Sequence, residues 1–319
     1  MNQHNFEVTT PQRLDVFLAT MLNQPRNQVN LLIKDSHVKV DDKIKTKSGL
    51  KLKTSQNVHV NLPELVPAVA KEVDFDVEII YEDDDILVLN KPANLVVHPA
   101  PSVKEATLVD WLRFKGISLS TLSAQERHGI VHRLDKGTSG AIVVAKNNVA
   151  HEKLSKQLQD KSMGRYYIAM IDNKLKDNVI VEKPIARNPN NRLKMGVVDG
   201  GKDAKTSFIS LIQSHDTQNE IIACKLFTGR THQIRVHLSS IGRHIVGDDL
   251  YGFKSQKDKI LPIFLHAYIM YLIHPRTGEL MRFVAPIRDE LNTYFTEHFE
   301  LESLNAVTSP DFIIRSFTA

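Results

Sequence analysis

From residue 75 onward the chain is cut into many short apolar runs of strand length, with few stretches of helical spacing between them. That pattern constrains the fold more than any other feature. Val77–Ile80 and Ile86–Asn90 flank an acidic turn at Glu82–Asp85, and Ala141–Ala145, Tyr166–Ile171, Ser207–Ile212, Ile221–Phe227, Tyr268–His274 and Met281–Ala285 follow. The last two are joined through Pro275-Arg276-Thr277-Gly278, a hairpin-like connection. Helical spacing is confined to Thr107–Phe114, Val149–Asp160, Thr231–Ser240 and Arg288–Phe295. A parallel sheet needs a helix between successive strands, and these helices are too few. The expectation is an α+β body on a largely antiparallel mixed sheet over residues 75–300, followed by a loosely ordered C-terminal tail at 301–319.

Residues 1–60 read as a separate small α/β unit. Leu14, Phe17, Leu18 and Met21 share one helix face, Pro25 fits the first turn of a second helix carrying Val29, Leu32 and Ile33, and Val38/Val40 and Val58/Val60/Leu62 alternate as short strands. Residues 61–74, with Pro63 and Pro67 and no periodicity, read as a linker. With 319 residues, 42% of them apolar, two domains and a sizeable core are possible. The net charge of +4 sits entirely in the first 60 residues, where nine Lys and Arg face five acids. Lys43, Lys45, Lys47, Lys51 and Lys53 alternate, so on a strand three or more would share a face. Such a face suits a polyanion, and it equally protects a sheet edge from aggregation.

Several function classes are excluded or disfavoured. Cys224 is the only cysteine, so there is no intramolecular disulfide and no cysteine-based zinc site; within Ile222–Leu226 it reads as a buried, inert thiol. Met1–Thr10 is polar, and no apolar run approaches transmembrane length, so a cytoplasmic protein without membrane contact is expected. Gly196–Asp203 nearly matches a phosphate-binding loop but has Asp203 where a hydroxyl must ligate magnesium, and reads as a turn between strands. His151-Glu152 lacks the second histidine of a zinc-protease helix, and His232 and His237, five apart, share no ideal helical face. No metal site and no dinucleotide site are expected.

Three segments carry chemistry. The densest is His132-Arg133-Leu134-Asp135-Lys136-Gly137-Thr138-Ser139-Gly140, ahead of the apolar strand at Ala141. Asp135 suits a nucleophile, but a carboxylate before Gly, Thr and Ser also suits a loop cap on backbone N–H groups. Thr228–His237 reads as a strand end at Gly229 followed by a helix whose apolar face is Ile234, Leu238 and Ile241. Arg235 on that helix is either a surface arginine or the partner that holds a buried carboxylate ionised. In Arg165-Tyr166-Tyr167, adjacent tyrosines on a strand must face opposite sides of the sheet, leaving one free to line a pocket.

Taken together, these residues resemble the RluA-type RNA pseudouridine synthases. His132–Gly140 is similar to the family's H-R-L-D-x-x-T-S-G, Thr228–His237 to its T-G-R-x-H-Q-I-R-V-H, and Gly247-Asp248 with Tyr251-Gly252 to its G-D-x-x-Y-G. Asn90-Lys91-Pro92 with Val97-His98-Pro99, and Gly201–Thr206, match further family motifs in consistent order over roughly residues 75–290. The N-terminal unit, from Arg13-Leu14-Asp15 through Arg26 to Val38-Lys39-Val40, resembles an S4 RNA-binding domain, and the whole most resembles the RluD-like subgroup.

The resemblance implies isomerisation of uridine to pseudouridine in structured RNA; the N1–C1′ bond breaks and C5–C1′ forms without a redox step, so no cofactor is needed. It implies Asp135 as nucleophile, attacking either the base or C1′, with Arg235 as its two-pronged partner and Tyr167 stacking on the target base. Arg13, Arg26, Lys34, Lys39, Arg133, Arg230 and His232 would meet RNA, and the substrate implied is 23S ribosomal RNA or a large-subunit precursor, handled by a monomer. Two other readings are a catalytically silent S4-type RNA-binding protein and an RNA N-glycosidase.

Overall fold

The computed structural model describes residues 2–22, 24, 26–62, 73–100, 103–122, 127–215, 218–252, 263–287 and 289–318. The chain divides into two compact units, Met1–Glu72 with Thr121–His128, and Val73–Ser120 with Gly129–Ala319. Pro25 and residues 63–72 of the expected linker lie outside the described residues.

The first unit runs β1 (Asn2–Glu7), α1 (Leu14–Met21), α2 (Arg26–Lys34), β2 (Val38–Val40), β3 (Lys43–Ile44) and β4 (Asn57–Leu62), with an antiparallel sheet ordered β1-β4-β2-β3. Leu14, Phe17 and Leu18 pack with Val29 and Ile33 on Val38, Val40, Val58 and Val60, so the helical and strand periodicities meet in one core. Strand β1 was not expected; its polar residues fit because it is an edge strand pairing β4 along its whole length. The lysine run does not form one strand face. Only Lys43 lies in β3, because the later backbone is drawn back to the start of α1: Leu14 N–H donates to Leu50 O at 2.8 Å, and Leu52 N–H to Gln12 O at 2.8 Å.

The second unit is built on β5 (Glu78–Glu82), β6 (Ile86–Lys91), β7 (Ser139–Ala145), β8 (Gly164–Ile171), β9 (Val179–Glu182), β12 (Lys205–Gln213), β13 (Glu220–Leu226), β14 (Leu265–Ile273) and β15 (Leu280–Val284). Their order is β5-β6-β7-β14-β8-β13-β12-β9, with β15 on β14, and β10 (Ile185–Arg187) and β11 (Met195–Val197) form a separate pair. Every ladder of this sheet is antiparallel except β7 with β14, which makes the α+β architecture expected from the run pattern.

The central strands are apolar on both faces because both are covered. On β6 and β7, Leu87, Leu89, Ile142 and Val144 face the core with α3 (Leu108–Phe114), while Ile86, Val88, Ala141 and Val143 face Ala150 and Leu154 of α4 (Asn148–Asp160). The start of α3 is fixed by a reciprocal cap: Thr107 N–H donates to the Asp110 carboxylate at 2.9 Å, and the Thr107 hydroxyl oxygen accepts from Asp110 N–H.

The remaining helices are α5 (Gln233–Ser239), α6 (Asp289–His298), α7 (Leu301–Thr308) and α8 (Pro310–Ser316). The last two replace the expected loose tail. Leu304 and Ile313 are buried in the main core, Pro310 opens α8, and the Phe317 ring lies 5.4 Å from that of Tyr166. Each helix is too short for its apolar face to stand out in the sequence, so packing rather than propensity sustains it.

Candidate active site

Asp135 lies in the loop between Ile130, which bridges to Val144, and the start of β7. The loop closes on itself through Thr138 N–H donating to Asp135 O at 3.1 Å. The carboxylate does not serve as a loop cap: among the described residues its nearest ionisable neighbours are Arg235 Nη1, 3.6 Å from Oδ2, and His232 Nε2, 3.9 Å from the same oxygen. The loop is anchored where β7 meets β14. Gly140 has φ +109°, and a Cβ there would sit 2.3 Å from Ala267 O, so only glycine permits this approach. Beside it the Ser139 hydroxyl lies 2.8 Å from His266 Nδ1.

Arg235 comes from α5, which begins at Gln233 rather than Thr231 because His232 adopts a left-handed conformation, φ 56°. The expected fork from Arg235 to Asp135 is not what forms. The guanidinium makes its two-pronged pair with Asp248, Nε to Oδ2 at 2.7 Å and Nη2 to Oδ1 at 2.8 Å. Asp248 is fully buried and its Oδ1 also accepts from the backbone N–H of Leu250 and Tyr251, at 3.0 and 2.9 Å, so the carboxylate is fixed before it receives the arginine. Tyr251 completes the support: its ring lies 4.8 Å from the guanidinium carbon, and its hydroxyl 2.9 Å from His232 Nδ1. Arg235 therefore leans on Asp135 with its remaining Nη1 alone. Burial opposes its charge, but the hydrogen bonds and field of Asp248, then of Asp135, raise its pKa above the ordinary value. Burial lowers the pKa of His232, partly offset by Asp135, which favours the neutral ring.

Strand β8 supplies the third wall. Residues 165 and 167 point to one face by the period of two. Arg165 and Tyr167 line the same cavity as Asp135, while Tyr166 packs against Tyr271, 5.9 Å between rings. One tyrosine thus faces the cavity and the other the core, as the sequence requires. Burial raises the Tyr167 phenol above its usual pKa, with the Arg165 charge acting against that rise. The cavity is small, about 60 Å3, and opens to solvent. Leu134, Leu226, Ile234 and Leu265 give it apolar walls beside the charged groups.

Of the other residues expected to meet RNA, Arg133, Arg230 and His232 line this cavity. Arg133 and Arg230 are exposed, and Arg230 Nε donates to Asp203 O at 3.0 Å. In the first unit, Arg13 and Arg26 converge on the buried carboxylate of Asp15, at 3.0 and 2.5 Å, and the Arg13 hydrogen bond holds its pKa well below the usual range. Lys34 and Lys39 are exposed. Sequence reasoning missed Arg165, Asp248 and Tyr251 as site residues. The last two stood inside a quoted motif, but nothing in spacing tells that Asp248 faces Arg235 across thirteen residues.

Away from the cavity, Asp83, Asp85 and His274 bring ligand-type atoms within 4.8 Å of one another. Their bonds are already internal. His274 Nε2 lies 2.8 Å from Asp83 Oδ2, and Arg276 donates to both oxygens of Asp85, at 2.5 and 3.1 Å. The cluster ties the β5–β6 turn to the β14–β15 turn. Cys224 is buried, as expected, and burial pushes its thiol pKa up. Of Gly196–Asp203, Gly196 and Val197 end β11 and the rest forms the connection to β12. No helix among the described residues is long and apolar enough to cross a membrane.

Residues 85–240 match the RNA pseudouridylate synthase family, and residues 12–58 match the S4 domain. The chain is 48% identical over 320 residues to an RNA pseudouridine synthase of Helicobacter pylori strain ATCC 700392 / 26695, covering 98% of each. It is 35% identical over 312 residues to the ribosomal large subunit pseudouridine synthase D of Nitrosomonas europaea, covering 91% of this chain and 87% of that one. In fold it is similar to human RNA pseudouridylate synthase domain containing 1, with a TM-score of 0.60 and 24% identity over 76% of this chain and 95% of that one.

Proposed function

Because this chain belongs to the RNA pseudouridine synthase family and so isomerises uridine in RNA, we propose that Asp135 is its nucleophile and that its substrate is 23S ribosomal RNA or a large-subunit precursor. The observation that carries the first part is the convergence of Asp135, Tyr167 and Arg235, from three separated segments, on one cavity. The relative from Nitrosomonas europaea, whose name specifies the large ribosomal subunit, supports the second.

A uridine within a folded RNA must leave its stack to reach Asp135. Tyr167 offers the ring on which the flipped base lies, beside the apolar Leu226 and Leu265 side chains. The Asp135 carboxylate attacks C1′ or the base. The N1–C1′ bond breaks, the uracil turns, C5 bonds to C1′ and the bond to Asp135 breaks, which returns the free carboxylate; the C5 proton is lost and N1 gains one. Arg235, held by Asp248, aims the Asp135 carboxylate. Arg133, Arg230 and His232 at the cavity, and Arg13, Arg26, Lys34 and Lys39 on the S4 unit, hold the RNA backbone without reading every base. The enzyme works as a cytoplasmic monomer.

Nearest-neighbour analysis of ribosomal RNA from a strain lacking the gene, before and after treatment with the purified protein, tests this reading. New pseudouridine in 23S RNA is expected. Unchanged uridine would indicate a silent RNA-binding protein, and an abasic site would indicate an N-glycosidase. Pseudouridine appearing only in other RNA classes would overturn the ribosomal assignment.

A further inference from the structure

Arg165 is a buried cation without a carboxylate. It is 9% exposed, lines the cavity beside Asp135 and Tyr167, and among the described residues forms no ion pair within 4.0 Å. Its Nε is buried with no hydrogen-bond partner. Its Nη1 lies 3.2 Å from His132 Nδ1. The other nitrogen of that ring, Nε2, already accepts from Val143 N–H at 3.1 Å. A neutral imidazole has one bare nitrogen, so it cannot accept from both donors. Burial first, then the charge of Arg165, pushes the His132 pKa well below its usual range, so the ring is neutral. Arg165 thus has five N–H donors and at most one contested acceptor. On the far side Gly229 leaves it room: a Cβ there would come within 3.2 Å of Nη2. A guanidinium so placed is costly in the free protein unless an anion arrives to meet it.

We propose that Arg165 is an anion socket for a backbone phosphodiester next to the flipped uridine. The proposal rests on the reading of the Asp135 cavity as the active site. The carbonyl oxygens of uracil are neutral and would leave the charge uncompensated, whereas a phosphodiester offers both charge and paired acceptor oxygens for the guanidinium fork. Arg165 and Tyr167 then divide the nucleotide between neighbouring positions of one strand face: the tyrosine takes the base and the arginine takes the backbone. Asp135 lines the same cavity beyond ion-pair distance, so it remains free for the reaction.

The test uses the full chain and total RNA from a strain lacking the gene, which carries the target uridines unmodified. Single-turnover pseudouridine formation and filter binding are followed across protein and salt concentrations for wild type, Arg165→Met and Arg165→Lys. Arg165→Met should raise the half-saturating protein concentration by roughly 10- to 100-fold, as loss of a charged hydrogen-bonding partner does. It should keep most of the maximal rate and lower the slope of log affinity against log salt by about one. Arg165→Lys should restore the slope and much of the affinity. The free Arg165→Met protein should melt at or above the wild-type temperature, because an uncompensated charge has been removed. An unchanged salt slope, a rate loss at unchanged affinity, or Met and Lys variants that both melt well below wild type would overturn the socket. Wild type that binds this RNA without forming pseudouridine would sink the reading of the cavity, while the binding arm still decides on Arg165.

Discussion

The Arg235 guanidinium gives its two-pronged bond to Asp248, at 2.7 and 2.8 Å, and only one nitrogen, at 3.6 Å, to Asp135. One cation therefore serves two carboxylates, and the group of three carries a net charge of −1. Asp135 is oriented without being locked in a tight fork, which suits the nucleophilic role proposed for it. Removing Asp248 should be as damaging as removing Arg235, although Asp248 does not face the cavity. Breaking a buried pair from one side typically costs about 3–5 kcal/mol, so Asp248→Ala and Arg235→Ala should each lower stability by about that amount in urea unfolding. A wild-type midpoint for Asp248→Ala would show that Arg235 holds its place by other means.

Lysine cannot reproduce the fork. Arg235→Lys should lower the single-turnover rate at saturating RNA far more than it weakens binding. Arg230→Lys should chiefly weaken binding, since Arg230 is exposed at the rim and anchored through Asp203 O. A larger rate loss for Arg230→Lys would reverse the roles.

Asp135→Asn is nearly the same size and keeps a hydrogen-bonding oxygen toward Arg235. It should abolish pseudouridine formation while leaving RNA affinity close to wild type. Substantial turnover by the purified variant would remove Asp135 as nucleophile.

In the S4 unit, Lys34 and Lys39 are exposed, whereas Arg13 and Arg26 share the Asp15 carboxylate. If the lysines meet phosphate, each alanine substitution should lower the salt slope of RNA binding by about one, with melting temperature unchanged. Equal slopes in wild type and the double variant would take these lysines off the RNA.

His132 and His237 are held neutral, with pKa values lowered mainly by burial. His237 is further fixed by Thr206 Oγ1 at 2.8 Å from Nδ1 and Lys183 O at 3.1 Å from Nε2. Unfolding lets both rings take protons below their ordinary pKa of about 6.5. Their contribution is therefore complete above that pH and falls as pH drops through it, at up to about 1.4 kcal/mol per pH unit for each ring. Urea unfolding between pH 7 and 5 should show this decline, and His237→Gln should remove one ring's share. An undiminished slope in the variant would mean that His237 is protonated when folded.

The architecture was legible where periodicity and burial agree. Runs such as Ala141–Ala145 are apolar throughout because both faces of the sheet are covered, and α4 shows a clear spacing with Asn147 as its cap. Elements stabilised by pairing alone were not legible: β1 is polar, and β9, β10 and β11 are three or four residues long. At the site, motif resemblance pointed to Asp135, Tyr167 and Arg235, and the fold brings these three to one cavity. It did not reveal that Arg235 belongs first to Asp248, because that depends on how the chain after α5 turns back. Arg165 stayed hidden because an arginine at the start of a strand looks like a surface residue until its burial is seen.

Strand β7 and strand β14 pair in parallel over just His266 with Ser139 and Ala267 with Gly140, and the partners are 127 residues apart in the chain. During translation the Asp135 loop therefore leaves the ribosome long before the strand that anchors it. Contacts so distant in sequence form slowly, and domains fold as their last essential segment emerges. A nascent chain ending before residue 265 would hold Asp135 but lack its loop's anchor at Ala267 and the cavity wall at Leu265. With the cavity read as the catalytic site proposed above, competence arrives only in the final stage of synthesis, and chains that stop short of β14 should leave the RNA around them unmodified.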